Sequence, residues 1–112
     1  MTDRMDTNEL ARRIKDAAFL EGDFVLRSGR RSKYYLDKYL FAARPDILAE
    51  LGRRFAEKLG DAEVIAGPEL GAVSLAAATA MASGRPFAIV RKARKDYATG
   101  KLIEGAPVAG QR

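Results

Sequence analysis

VIAGPELGAVSLAAATAMASGRPFAIVRKARKDYATGKLIEG, residues 64 to 105, is the stretch that decides the fold. It reads as a short apolar run ending at Gly67-Pro68, an alanine-rich helix, a second apolar run from Phe87 to Val90, and a loop crowded with positive charge. Strand, glycine turn, helix and strand make the βαβ unit of α/β proteins, whose ligands sit beyond the carboxyl ends of the strands. Glycine turn and basic loop both fall at that end. A site for a phosphorylated small molecule is therefore the first expectation.

Val64-Ile65-Ala66 is short enough to be a buried parallel strand. It delivers Gly67-Pro68-Glu69-Leu70-Gly71 to the N-terminus of a helix over about 72–83, where free backbone N–H groups attract phosphate. Glycine at such a turn can equally serve backbone geometry alone. The helix is almost uniformly small and apolar, from Ala72 and Val73 through Ala76 to Met81 and Ala82, which predicts burial on most sides. Gly84-Arg85-Pro86 ends it. After the second strand, 91–101 carries five positive charges against one negative in eleven residues. Buried charges need partners, so 91–104 reads as a mobile basic surface loop, either simply solvated or, given its place beyond a strand, anion-binding.

Upstream, Arg44-Pro45-Asp46 starts a helix with proline in its first turn. Ile47, Leu48, Leu51, Phe55 and Leu59 mark its apolar face, and Gly60 suits the residue just past its end. The segment 24–41, FVLRSGRRSKYYLDKYLF, has β-branched and aromatic residues flanking Ser28-Gly29, which predicts two extended segments around a tight turn. Five basic residues (Arg27, Arg30, Arg31, Lys33, Lys38) interleave there with Tyr34, Tyr35 and Tyr39. Such a mixture can hold a planar anionic ring by stacking and charge, or can be a solvated strand edge whose cations discourage pairing. Nearest the N-terminus, Asp6-Thr7-Asn8-Glu9 resembles a capping box, with Asp6 or Thr7 at the N-cap and Glu9 reaching back. Leu10, Ile14, Ala17 and Ala18 recur at helical spacing, so the helix should end near Leu20-Glu21-Gly22. One chain segment 1–43, helix and hairpin, thus precedes the first part of an α/β core, 44–112, within a single partial domain.

The totals agree with an α/β domain of modest core. Of 112 residues 47% are apolar, but 20 are alanine, so large core side chains are scarce. A net charge of +5 favours anionic partners. With no cysteine there is no thiol nucleophile or thiolate metal site, and with no histidine the commonest general base near neutral pH is missing. Any catalysis must rest on charge and positioning. The polar N-terminal stretch MTDRMDTNEL lacks the apolar core of a signal peptide, and no run of about 18 apolar residues exists to span a membrane. The cytoplasm is the default location.

Three stretches in this order resemble orotate phosphoribosyltransferases: FVLRSGRRSKYYLDKY from Phe24 to Tyr39, AGPELGAVSLAAA from Ala66 to Ala78, and IVRKARKDYATGKLIEG from Ile89 to Gly105. The resemblance implies a type I phosphoribosyltransferase fold, a Rossmann-like parallel sheet with helices on both faces and an N-terminal hood, here incomplete. It implies transfer of ribose 5-phosphate from phosphoribosyl pyrophosphate to orotate, giving orotidine monophosphate and pyrophosphate in pyrimidine synthesis. Magnesium and a homodimer, its basic loop shared across the interface, come with that family. By position, Arg27 matches a basic residue that reaches the substrates. Tyr35 and Leu36 match an aromatic-rich pair against the orotate ring. Arg91, Lys92 and Lys95 match the cations around the pyrophosphate, with Lys95 and Arg91 the expected catalytic pair. Tyr97 stands where a histidine is frequent, and Gly67 and Gly71 lie in the phosphate turn, which lacks the lysine some members carry. No residue of this chain is assigned to hold the metal.

Family members continue beyond the equivalent of Gly110-Gln111-Arg112 with an apolar strand, two acidic residues and a Thr/Gly loop that cradles ribose 5-phosphate. The expectation is therefore a partial sheet of two core strands, and a chain that alone forms no product. Two other readings compete: a phosphoribosyltransferase for another base, and a basic module gripping nucleic acid. Against the second, the positive charges sit in two loops beyond predicted strands instead of along one helix.

Overall fold

A computed structural model of the chain describes residues 4–112. Met1, Thr2 and Asp3, the start of the polar stretch read above for a signal peptide, lie outside the described residues. The chain divides into two compact units, Met1–Ile47 and Leu48–Arg112.

The first unit opens with helix α1 (Thr7–Ala18), capped by Asp6, whose Oδ1 accepts from the Glu9 N–H at 2.8 Å. Glu9 turns its own side chain to Arg12 and to Arg13 Nε, the latter at 2.8 Å, instead of toward the cap. α1 stops at Ala18, earlier than the sequence suggests. Phe19 has already turned extended (φ −79°, ψ 119°), and strand β1 (Phe19–Val25) pairs antiparallel with β2 (Arg31–Leu36). Cross-strand partners Phe19↔Leu36 and Leu20↔Tyr35 claim residues whose spacing alone fits another helical turn. The turn is where Ser28-Gly29 predicts it: the Gly29 N–H donates to the Leu26 carbonyl at 2.8 Å, with Gly29 at φ +88°. Beyond β2 the expected extended segment gives way to a short helix, α2 (Lys38–Ala42), because Asp37 caps it by accepting from the Tyr39 N–H at 2.9 Å. α1 and α2 pack over buried Leu10, Ala18 and Ala42.

Helix α3 (Pro45–Ala56) begins at the expected proline. In the second unit it is followed by β3 (Ile65–Pro68), α4 (Val73–Ser83), β4 (Phe87–Val90) and β5 (Ile103–Gly105). Gly84 at φ +72° terminates α4 in the left-handed conformation. β3 and β4 pair in parallel with Ile65↔Phe87 and Pro68↔Val90, so the βαβ unit forms as the apolar runs imply. The sheet has a third strand where two are expected: β5 runs antiparallel to β4, with Ile89↔Glu104 and Val90↔Ile103. At three residues it is too short for alternation to distinguish it from the loop it closes.

Burial in this unit is shallow. Ala76 and Ala88 are buried, yet Met81 on α4 is 87% exposed, so α4 is not covered on most sides as its composition suggests. A unit of this size offers too few neighbouring elements to surround an all-apolar helix. The contacts at Gly52 and Gly67 are close enough to require glycine. A Cβ at Gly52 of α3 would lie 2.7 Å from the Ala78 carbonyl oxygen of α4, and one at Gly67 would lie 2.7 Å from that of Ala72. Among the described residues no helix is long and apolar enough to cross a membrane.

Candidate functional site

Parallel pairing fixes the geometry of the second unit's site. Because Pro68 sits opposite Val90, the turn after β3 and the loop after β4 leave the sheet at the same edge. A hydrogen bond from the Glu69 N–H to the Val90 carbonyl, 2.8 Å, ties the turn to the residue preceding Arg91. Gly67, one residue before the end of β3, lies against α4, and the peptide between Glu69 and Leu70 is cis. Gly71 lies in the turn itself. α4 starts behind it with Ala72 at the N-cap and no side-chain cap, which leaves the first turn's N–H groups to backbone partners or to a ligand.

The basic loop is laced rather than loose. Arg91 N–H donates to the Leu102 carbonyl at 2.9 Å, Lys95 N–H to that of Lys101 at 3.3 Å, and Gly100 N–H to that of Tyr97 at 3.1 Å. From sequence its charges are either solvated or anion-binding; the structure pairs two of them with a carboxylate of the chain itself. Lys95 Nζ lies 2.9 Å from Glu104 Oε2, and Arg91 reaches the same oxygen at 3.7 Å. The Lys95 side chain is only 13% exposed. Its ammonium also stands 5.6 Å from the centre of the Tyr97 ring, within cation–π range. The hydrogen bond from Lys95, reinforced by the charges of Lys95, Arg91 and Lys101, holds the Glu104 carboxyl below the usual carboxylate range against the opposing effect of burial. Lys92 and Arg94 remain exposed and pair with no carboxylate among the described residues.

Glu104 is the residue that sequence reasoning passes over. Only its alternation with Ile103, nine residues beyond Lys95, hints that a strand brings it back beneath the loop.

On the first unit, Arg27 occupies the tip of the β1–β2 hairpin, inside the Leu26–Gly29 turn, exposed and without a carboxylate partner among the described residues. Tyr35 on β2 lies against Phe24, ring centres 5.7 Å apart and tilted by 35°, while Tyr34 stacks on Phe19 at the same distance. Tyr35 and Leu36 are strand neighbours and so project to opposite faces. A flat ligand on one face of this hairpin meets one of them, not both. The candidate residues thus form two groups: Arg27, Tyr35 and Leu36 on one unit, and Gly67, Gly71, Arg91, Lys92, Lys95 and Tyr97 on the other.

A parallel βαβ unit with a glycine turn and a basic loop at one sheet edge, preceded by a helix and a hairpin, is the type I phosphoribosyltransferase architecture. Within that class the chain is similar to orotate phosphoribosyltransferases over nearly its whole length. The enzyme of that name from Methanocella arvoryzae is 44% identical over 110 residues, 96% of this chain and 62% of the relative. Among solved structures, the Mycobacterium tuberculosis H37Rv orotate phosphoribosyltransferase in complex with Fe(III) dicitrate superposes with a TM-score of 0.75 at 36% identity, over 92% of this chain and 61% of that one. The same enzyme in complex with 5-phospho-alpha-D-ribosyl 1-diphosphate gives 0.70 at 33% identity, over 92% and 58%. No protein-family model matches the chain. The chain spans about three-fifths of the length of the curated relatives it matches.

Proposed function

We propose that this chain supplies the base- and diphosphate-binding part of an orotate phosphoribosyltransferase, which transfers ribose 5-phosphate from phosphoribosyl pyrophosphate to orotate. The observation that carries the reading is the 44% identity across 96% of the chain, taken with Arg91, Lys92 and Lys95 clustering on the loop beyond β4. Attack of the orotate ring nitrogen on the anomeric carbon passes through an oxocarbenium-like state while negative charge grows on the departing diphosphate. Fixed cations stabilise that charge as it develops. Lys95 and Arg91 are proposed for this role, with Lys92 and those N–H groups of the Gly67 to Gly71 turn that the chain does not itself bond, Glu69 being committed to Val90, binding the same diphosphate. Orotate is already an anion with an acidic ring nitrogen, so neither histidine nor cysteine is required. Arg27 and Tyr35 are proposed to take the base, Tyr35 by its ring face, which leaves Leu36 on the opposite face of the strand out of that contact; Tyr97 steadies Lys95.

Magnesium belongs to the proposal through the ligand. The described residues contain no group of three or more His, Cys, Asp or Glu side chains able to hold a metal, and Mg²⁺ characteristically keeps several waters and binds through substrate phosphates. Assembly as a homodimer, with the basic loop reaching the neighbouring subunit's site, and work in the cytoplasm are proposed with it.

Calorimetric titration of the chain with phosphoribosyl pyrophosphate and with orotate tests the reading. Both are expected to bind, the first losing about tenfold or more in affinity in Lys95→Ala. Equal binding of a purine base in place of orotate would redirect the base assignment. Preferential binding of an RNA oligonucleotide with steep salt dependence would replace the enzyme reading altogether.

A further inference from the structure

We propose that Glu104 is a latch on the basic loop: its carboxylate occupies Lys95 and Arg91 in the ligand-free protein, and an incoming diphosphate takes both cations from it. The inference rests on the diphosphate reading above and adds to it a residue and a step that the resemblance does not supply.

The two partners sit on unlike supports. Glu104 is fixed in the sheet by β5, one residue from Gly105, where a Cβ would lie 2.9 Å from the Phe87 carbonyl oxygen, so this strand is seated tightly against β4. Lys95 lies in the middle of the loop, held by Glu104 at 2.9 Å and by the Tyr97 ring. Both Lys95 and Glu104 are mostly shielded, their side chains 13% and 27% exposed. A single carboxylate thus gathers two of the loop's cations in one place, Arg91 being the residue after the Val90 carbonyl that accepts from the Glu69 N–H of the glycine turn. Placing them in advance lowers the ordering cost of binding. It also sets up a competition, because a diphosphate carries more charge than one carboxylate but must first displace it. Exposed Lys92, Arg94 and Lys101 are left to draw the anion in.

The competition can be measured with inorganic pyrophosphate, titrated calorimetrically into the wild-type chain and into Glu104→Gln, Glu104→Asp, Lys95→Ala and Lys95→Ala/Glu104→Gln, each checked for an unchanged far-UV spectrum. Glu104→Gln should bind pyrophosphate about three- to tenfold more tightly than wild type. Glu104→Asp, which keeps the charge, should stay near wild type. Measured against Lys95→Ala alone, the double variant should gain less than Glu104→Gln gains over wild type, since only the more distant Arg91 is left to contest. Equal or weaker binding by Glu104→Gln overturns the latch while leaving the diphosphate reading intact. Absence of binding by wild type and variants alike overturns both. If Glu104→Gln does not fold, the wild type decides: pyrophosphate should raise the pH midpoint of the Glu104 side-chain carboxyl ¹³C signal, and an unmoved midpoint overturns the proposal.

Discussion

Lys95 carries a positive charge that any reader of the sequence sees, and a carboxylate partner that none would. Nine residues separate it from Glu104, and the contact exists only because Ile103–Gly105 folds back against β4. The pairing changes what a substitution should do. Lys95→Ala leaves an ionised Glu104 beside Arg91, which can still partner it at 3.7 Å, so melting should fall by no more than about 5 °C while phosphoribosyl pyrophosphate affinity falls at least tenfold. Differential scanning fluorimetry beside the calorimetric titration separates the two; a collapse in melting temperature would make Lys95 a structural residue. A second carboxylate network lies on the first unit, where Arg13 bonds Glu9 at 2.8 Å and Asp46 at 2.9 Å. Those hydrogen bonds hold both carboxyls below their ordinary values, 4.5 for Glu9 and 3.8 for Asp46. With folded-state values depressed, the contribution is complete above the unfolded values and is lost as pH falls through the folded ones. Stability should therefore decline below about pH 4.5, and Arg13→Ala should narrow the gap between urea midpoints at pH 7 and pH 3. An unchanged gap would mean that other carboxylates dominate acid unfolding.

Ends marked by proline or glycine were mostly legible, although α3 stops at Ala56, short of the Gly60 expected to lie just past its end, because the chain after Ala56 tightens into turns (Lys58 N–H to the Phe55 carbonyl, 3.0 Å). β5, α2 and the end of α1 were not legible. Pro45 opens α3, Gly84 closes α4, and the apolar run Phe87 to Val90 is β4 residue for residue. β5, α2 and the early end of α1 depend on what the chain meets after it turns: a strand to pair with, an aspartate at the right moment, a hairpin that claims Phe19 and Leu20. Glycine in the interior of a helix is the clearest case. Gly52 lies on α3 within a strong apolar periodicity that gives no reason for it, and helix propensity alone favours alanine there by about 1 kcal/mol. The reason is α4. A Cβ at Gly52 would stand 2.7 Å from the Ala78 carbonyl oxygen and 3.0 Å from the Ala78 Cβ. Backbone has to move to admit it, and overpacking of this kind costs about 1–3 kcal/mol, which outweighs the propensity gain at most of that range. Gly52→Ala should accordingly lower the melting temperature by several degrees. Gly67→Ala should do so more strongly, because its Cβ meets both the Ala72 carbonyl oxygen at 2.7 Å and the Ala76 Cβ at 2.9 Å with no compensating propensity. A rise in melting temperature for Gly52→Ala would show that α3 and α4 can separate freely.

At the scale of the chain, class was readable from order: hairpin with basic and aromatic residues, glycine turn, apolar helix, strand, basic loop. How much of its apolar surface would be covered was not, because composition reports how much apolar surface exists and not which elements are there to meet it. The scarcity of large core side chains shows in the structure, where Ala18, Ala42, Ala76 and Ala88 make up much of the buried apolar set. Uncovered apolar side chains occur on both units, on the hairpin and α2 of the first (Val25, Leu36 and Leu40 among them) and on the helices of the second. Met81 on α4 is 87% exposed, Phe55 on α3 is 47% exposed, and Phe55, Leu59, Ile65, Leu75 and Ala76 line an open apolar groove of about 220 Å³. Contiguous apolar surface of this kind promotes association in water, and β3, which among the described residues pairs as a strand only with β4, adds a strand edge beside it. The chain should therefore bind the dye ANS and sediment with an average mass that rises with concentration. Its net charge of +5 opposes association, so added salt, which screens that repulsion, should strengthen it. Met81→Lys places a charge in the most exposed apolar position of α4 and should reduce both dye binding and association without altering the far-UV spectrum. If sedimentation shows a monomer at every concentration and salt level, the exposed face of α4 is not sticky enough to matter. If association persists unchanged in Met81→Lys, it runs through the β3 edge or the groove, and a proline at Ile65, which removes the N–H bonded to the Pro86 carbonyl, would be the wrong remedy because that bond holds β3 to its partner; charge on Phe55 is then the substitution that should break it.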